Sequence, residues 1–453
     1  MYLRMEKENY MENLKLTSSR ADIPKAQTSI LIGNKLSSPN TKPDTNGAVL
    51  YGNEGNITMS DDMLSRGTLF LGSTGSGKTN VITMLMDSVL KQLTDDDTVI
   101  IFDSKRDFFK RFFSPRNPKH IVVSSSSGDR LISRSWNLFH ECFLSGQNPI
   151  LTDDTYVYVN EMSKALMRNL ESPQQPFFNI AASDILRMLI LSFLAYADVS
   201  GDHSSLTNKA LAEFLDKAKT EDLIKAAGTR FQYIHSYLGN PNSPTPQSLG
   251  VEGFLHAMTA EIFTGPFRTP SPRGDFSIRR LVNEKGGKVV FIEYDVARGS
   301  SISAVYSLLF DLAITEQLSS GNGRTFLFCD EMSLLPHCQH LSDALNQGRS
   351  RGLRTIASIQ SINQLYDAYG EHLGKSIEAG FVNCFAFRSD ADTRELISHR
   401  FGKTFEIVQH GGVNIPHEGF TVTDSDIINL SRGEAFVDLY EHKPFLFKSK
   451  KFI

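Results

Sequence analysis

The chain has no long uninterrupted apolar run: its most hydrophobic stretch, ILRMLILSFLAYA at 185–197, is 13 residues and carries Arg187. A membrane-spanning helix needs about 20 apolar residues, so this stretch predicts a buried core helix. The N-terminal MYLRMEKENYMENLKLTSSR is too charged for a signal peptide or a membrane helix, and the expectation is a chain with no direct membrane span. Cysteine is scarce as well. The four residues, Cys142, Cys329, Cys338 and Cys384, show no C-x-x-C spacing, which argues against a zinc site and for a reduced, cytoplasmic setting. Net positive charge is missing too: 47 Lys and Arg stand against 51 Asp and Glu, a formal charge of −4, so nucleic acid must meet a local basic surface. No internal repeat is visible. What remains is ordinary for a globular protein, with 40% hydrophobic and 22% charged residues over 453 positions. That length suggests two or three domains.

Residues 72–79 read GSTGSGKT, after the apolar run TLFLG and before NVITMLMDSVLKQL. Gly72, four residues, then Gly77, Lys78 and Thr79 is the spacing of a P-loop, whose glycines let backbone N–H groups close around phosphate oxygens. An ordinary strand-to-helix turn is the bland alternative, but the context suits phosphate. Thr68–Leu71 predicts a buried strand, and Val81, Met84, Leu85, Val89 and Leu90 fall at helical spacing, so a helix N-terminus faces the loop. Gly72, Ser73, Thr74, Gly75, Ser76, Gly77, Lys78 and Thr79 are thus the candidate nucleotide-binding residues. Lys78 would reach the β- and γ-phosphates of ATP, and Thr79 would hold Mg²⁺.

Residues 1–47 are polar and predict a flexible arm. From Ala48 strands and helices alternate, with TVIIFD and HIVVSS as further strands, the signature of a parallel α/β sheet. Between about 160 and 275 the segments EFLDKAKTEDLIKAAG, FQYIHSYL and GFLHAMTAEIF read as helices. Strands return at KVVFIEYD, RTFLFCDE, RTIASIQ and CFAFR, and EAFVDLYEHKPFLFKSKKF predicts a closing hairpin. The expected fold is therefore α/β, with a discontinuous sheet domain (48–159 and 276–453) carrying an all-α insertion (160–275).

Asp330 and Glu331 end an apolar strand, where Asp330 would position the metal and Glu331 would polarise a water; a pair of helix-capping acids is the alternative. Gln360 ends another strand and can sense the γ-phosphate or orient the attacking water, or simply cap a turn. Arg349, Arg351 and Arg354 crowd one segment; they are either solvated charges or, in a ring of identical subunits, the source of an arginine that enters a neighbour's site. In SKRDFFKRFF, Lys105, Arg106, Lys110 and Arg111 alternate with aromatics, which suits DNA binding and equally suits an amphipathic helix with a solvated basic face.

Taken together, GNITMSDDMLSRGTLFLGSTGSGKT, IFDSKRDF, WNLF, FFNIAASDIL, FSIRRLV, FCDEMSLLP, NQGRSRGLRTIASIQSINQLYDAYGE and VNCFAFRSDADTRELISHRFG follow the order of motifs in conjugative coupling proteins. Over about 48–450 the chain resembles the VirD4/TraG/TraD-type ATPases of type IV secretion, relatives of the FtsK and HerA DNA pumps. The resemblance implies a RecA-like P-loop NTPase domain carrying an all-α domain. It also implies a homo-oligomer, a hexameric ring that moves single- or double-stranded DNA at the cost of ATP. Carried over, Lys78 and Thr79 are the P-loop pair, Asp330 and Glu331 the acidic pair, Arg349 the finger from an adjacent subunit, and Gln360 the residue that couples hydrolysis to movement. Arg388 is a lesser candidate, with a core ion pair as its alternative. Such proteins usually carry N-terminal transmembrane helices, which this sequence does not show. The expectation is therefore a cytoplasmic form, brought to the inner face of the membrane by a partner. Its partners would be a relaxase or secretion-channel proteins, or, for a HerA-like processing or defence enzyme, a nuclease. A nucleotide-gated docking module is a further reading.

Overall fold

Apolar residues on both faces of successive strands build a sheet that is buried on both sides. The computed structural model describes residues 28–33, 36–39, 44, 47–168, 176–294, 299–335, 338–410 and 413–452. Its main sheet has nine strands: β1 (Thr68–Leu71), β2 (Asp97–Asp103), β3 (His120–Ser124), β4 (Lys288–Glu293), β5 (Arg324–Cys329), β6 (Leu353–Ile359), β7 (Asn383–Ala386), β8 (Glu434–Asp438) and β9 (Phe445–Lys448). They lie in the order β9-β8-β7-β1-β6-β5-β2-β4-β3. The seven from β7 to β3 run parallel, and β8 and β9 close one edge antiparallel, as the hairpin pattern predicts.

Period-two alternation sorts the strand residues between two cores. Leu69, Leu71, Ile100 and Phe102 face one side; Phe70, Val99, Ile101 and Phe385 face the other, with Phe70 and Phe385 stacked 4.7 Å apart. The second side is covered by helix α1 (Lys78–Lys91), whose Val81, Met84, Leu85 and Val89 are buried at helical spacing. The first side continues without a break into the helical segment, formed mainly by α2 (Asp153–Arg168), α3 (Pro176–Ser200) and α4 (Pro246–Ile262), and into α5 (Gly299–Ser320).

Helix α3 runs 25 residues, well beyond the 13 apolar ones that predict it, and starts at Pro176. By length and composition alone it is long enough to cross a bilayer. Its Ile185, Leu186, Leu189 and Leu194 are nevertheless buried against α2 and α4. Residues 1–27, most of the expected N-terminal arm, lie outside the described residues. Within that arm Thr28–Gly33 is a strand, paired antiparallel with Lys403–His410, which in turn pairs with Val413–Phe420. Sequence polarity alone conceals such a strand because its partner is far along the chain.

The chain enters the helical segment near Phe139–Cys142 and leaves it near Ile278–Glu284, and one buried carboxylate joins the two points. Glu141 is 1% exposed and accepts four hydrogen bonds: from Trp136 Nε1 (3.0 Å), Ile278 N (2.8 Å), Arg279 N (3.0 Å) and Ser277 Oγ (2.7 Å). Arg279 then reaches Glu316 of α5 at 2.6 Å. Three of the partners are N–H groups that can only donate, so the site uses the carboxylate as an acceptor. Glu141→Gln would turn an amide NH₂ against at least one of these N–H groups and should lower stability by roughly 1–3 kcal/mol. Urea unfolding is the measurement; a change below about 0.5 kcal/mol would mean the clamp is not structural.

Candidate functional site

In a parallel sheet the C-terminal strand ends share one edge, and here that edge collects the sequence-predicted residues. β1 delivers the loop 72–79, β5 delivers Asp330 and Glu331, β6 delivers Gln360, and β7 leads into Arg388. Antiparallel β8 starts at the same edge, so Arg432 and Gly433 arrive there too. The loop is pressed between its neighbours. Gly72 has φ 151° and a Cβ there would lie 2.7 Å from Phe387 Cβ; Gly77 has φ 110° and a Cβ would lie 2.7 Å from Gly433 N. Only glycine fits either position. Backbone bonds complete the anchoring: Gly72 N donates to Ile359 O (3.2 Å), Ser73 N to Arg388 O (2.8 Å) and Gly433 N to Ser76 O (2.8 Å).

One flank of the loop is acidic. Gln360 bridges it to the acids: Thr74 Oγ1 donates to Gln360 Oε1 (2.7 Å), and Gln360 Nε2 donates to Glu331 Oε2 (2.6 Å). Ser333 Oγ holds the other carboxylate oxygen at 2.8 Å. Glu331 is 4% and Asp330 3% exposed, and burial raises the pKa of both. Asp330 accepts from Ser104 Oγ at 3.1 Å and faces Lys105 Nζ at 3.9 Å. Lys78 folds back on the loop, donating to the carbonyls of Gly72 and Ser73. Burial lowers its pKa to about 8, against the attraction of Glu331 and Asp330.

The donor set suits Mg²⁺. Thr79 offers a hydroxyl on the first turn of α1, Asp330 offers one carboxylate, and no group of three or more His, Cys, Asp or Glu among the described residues could hold a metal. A metal that keeps waters and takes its remaining ligands from phosphate oxygens fits that sparse set.

Other predicted residues are placed elsewhere. Arg349 lies in the turn Gly348–Arg351 that precedes β6, at the opposite edge of the sheet, about 20 Å of strand away from the loop. It pairs with Asp62 at 2.8 Å on the surface. Arg354 is 6% exposed and held by both oxygens of Asp61 (2.6 and 3.0 Å), so it is a structural residue and not a reserve finger. Arg388 forms no ion pair with any described residue, and it is exposed beside the loop.

The basic-aromatic stretch is also revised. Phe108 is buried and Phe109 stacks on Phe113, so these rings are spent in packing. Arg106 is bidentate on Asp129 (2.9 and 3.0 Å) and 3.2 Å from Glu293, whose carboxyl burial pushes up to about 9. Lys105, Lys110 and Arg111 remain exposed. Ser104, Ser333 and Arg432 were not singled out in sequence, because a serine or arginine beside a strand end has no motif of its own.

A profile described as the type IV secretion-system coupling protein DNA-binding domain matches residues 53–446. The chain is similar to coupling protein TraD of Escherichia coli strain K12, 24% identical over 314 residues, 68% of this chain and 39% of that protein. It is similar to conjugal transfer protein TraG of Agrobacterium fabrum strain C58, 30% identical over 266 residues, 51% of this chain and 36% of that protein. The chain thus spans well under half the length of the curated relatives it matches. Among solved structures it is similar to the unbound conjugative coupling protein TrwBΔN70 (TM-score 0.74, 19% identity, 94% of this chain and 95% of that one). The plasmid coupling protein TrwB in complex with ADP and Mg²⁺ matches at TM-score 0.71 and 20% identity, over 94% and 95% of the two chains. At that identity the likeness concerns the fold, which is the RecA-like P-loop sheet with an all-α segment that the resemblance implies.

The lowered pKa of Lys78 makes phosphate binding pH-dependent. In the free loop Lys78 loses its proton as pH rises through about 8. Phosphate charge beside the ammonium raises that pKa, so binding above it must take up a proton. Affinity for Mg-ATP should therefore be insensitive to Lys78 below pH 7 and weaken by up to about tenfold per pH unit above 8. Calorimetry at about pH 9 in two buffers of different ionisation enthalpy should register close to one proton taken up. Lys78→Arg, which stays charged, should show none. Equal uptake by both proteins would rule out Lys78 as the titrating group.

Proposed function

The chain belongs to the type IV secretion-system coupling protein family, and on that premise we propose that it is an ATP-hydrolysing motor that drives DNA through a hexameric ring. The observation that carries this reading is the Thr74–Gln360–Glu331 bridge, which ties the phosphate loop to the buried acid. A structural acid pair would need no such link. In the proposed cycle Lys78 neutralises the β- and γ-phosphates, Gln360 orients a water, and Glu331 accepts its proton as the water oxygen attacks the γ-phosphorus and ADP leaves. The raised pKa of Glu331 makes it a better base than an exposed carboxylate. Bound Mg²⁺, held by Thr79 and through water by Asp330, would supply neutralisation of phosphate charge. Gln360 leads directly into the helix Ile362–Tyr369, so a change at the γ-phosphate has a short mechanical path out of the site.

We assign the expected segments 48–159 and 276–453 to the nucleotide-binding domain, with the first boundary moved back to about residue 152, because the helix Asp153–Arg168 packs with the helical segment. That helical segment, expected at 160–275 and beginning instead at Asp153, takes DNA or partner recognition, since every phosphate-site residue lies outside it. A relaxase or the proteins of a secretion channel are the partners this reading implies, with the motor working at the cytoplasmic face of a membrane. Nothing in the relatives favours a nuclease partner.

Lys78→Ala should abolish nucleotide binding, whereas Glu331→Gln should bind ATP and fail to hydrolyse it. An unmodified rate in the second variant would move the base elsewhere. DNA should stimulate the wild-type rate; a protein that binds ATP with no DNA response would be a docking module instead. Because Arg349 sits at the far edge of its own sheet, we propose that it serves a neighbour's site. Arg349→Ala should then lose turnover by about 10³-fold while binding ATP. Mixing it with Lys78→Ala should restore partial activity, since some interfaces pair an intact loop with an intact arginine. Mixed oligomers without recovery would exclude the trans role.

A further inference from the structure

The edge of the sheet opposite the phosphate loop holds a buried charge that the chemistry above does not use. Lys285 follows the helix Ile278–Glu284 and precedes β4; it is 3% exposed and pairs with no carboxylate among the described residues. Its ammonium donates only to neutral oxygens, Gln317 Oε1 of α5 and, at 2.6 Å, Thr325 Oγ1 of β5. Burial pushes its pKa down to about 8 against the attraction of Asp97 and Glu316, acids that Arg324 and Arg279 already engage. Its backbone is unfavourable as well: φ is 55°, in the left-handed region, at a helix C-terminus where glycine is the usual occupant. An apolar side chain would fill the space without burying a charge, so the ammonium needs a reason beyond packing.

The reason lies in the amide it fixes. A side-chain amide can turn over, exchanging its oxygen for its NH₂. An ammonium has hydrogens to give and no lone pair to offer, so Lys285 admits only the oxygen of Gln317. Thr325 Oγ1, which accepts from Lys285, then donates to that same oxygen at 2.6 Å. The NH₂ is thereby aimed the other way, onto Arg351 O (2.6 Å) and Asn322 O (3.1 Å). Arg351 ends the turn Gly348–Arg351, and the carbonyl of the next residue, Gly352, accepts from Thr325 N at 2.9 Å. Without the ammonium, the Thr325 hydroxyl can donate or accept, and the amide is free to turn its oxygen against the Arg351 carbonyl. We infer, resting on the role proposed above for Arg349, that Lys285 is a positioning residue: it locks the Gln317 amide onto the backbone of the turn and so sets the place from which Arg349 reaches a neighbouring subunit.

The test is a double-variant cycle read by kcat and KM for Mg-ATP hydrolysis in the assembled protein. Lys285→Met should lower kcat by about ten- to a hundredfold, the scale of a misplaced group, and keep KM within about twofold. Gln317→Glu keeps an oxygen toward Lys285 and loses the NH₂ toward Arg351, so it should match that loss although the ammonium and its packing remain. In an Arg349→Ala background neither substitution should slow turnover further, because the group they position is gone. Full turnover in Gln317→Glu or in a folded Lys285→Met, or losses that multiply with that of Arg349→Ala, would overturn the inference. If Lys285→Met does not fold, Gln317→Glu decides by the same cycle. An Arg349→Ala protein with unchanged turnover would instead overturn the role of Arg349 on which this rests, and the inference with it.

Discussion

A phosphate-binding loop must be held still without spending the N–H groups that bind the phosphate. Here the holding is done from outside. Ile359 and Arg388 accept the first two N–H groups of the loop, and the carbonyl of Ser76 accepts Gly433 N. The first-turn N–H groups of α1, which an α-helix cannot satisfy internally, are left facing outward. Three strand ends must converge for this, and the packing leaves no room for a Cβ at Gly72 or Gly77. The position of β1 between β6 and β7 is therefore a condition of the site and not merely a feature of the fold.

That position also gives the loop its polarity. Strand order places buried carboxylates on one flank and free guanidinium groups on the other, so a bound polyphosphate would meet unlike surroundings at its two ends. The low dielectric of the buried acidic flank raises the pKa of Asp330 and Glu331 while the same burial lowers that of Lys78. The three groups sit within one another's fields, so the charge of any one sets the protonation of the others.

The strands were legible because each is a short apolar run ending in polar residues, and residues at those ends, Asp330, Glu331 and Gln360, were legible for the same reason. Adjacency was not. Thr68 pairs with Ile356 on one side and Asn383 on the other, some 300 residues along, and no local pattern encodes that. Arg432 consequently passed unnoticed, since nothing in SRGE suggests that it returns to a loop at residue 76. Arg354 and Arg106 misled in the opposite direction: both read as surface cations, and both are held by carboxylates, Asp61 for one and Asp129 for the other. Charge in a sequence is visible, but its neutralisation by a distant acid is not.

The same distinction separates the two arginines at the start of β6. Arg354 is joined through Asp61 to Arg324, which also grips the buried Asp97 at 2.7 and 2.8 Å. Breaking that network would strand a buried charge, at a cost of several kcal/mol. Arg349 and Asp62 are each about half exposed, and an ion pair of that kind contributes roughly 0–1 kcal/mol. The network fixes the backbone of the turn, while the surface pair leaves the Arg349 side chain free to exchange Asp62 for another anion at little cost. The proposed role of Arg349 at a neighbour's site would need both properties together: a rigid base, supplied by Arg354 and Asp61, and a partner weak enough to be given up.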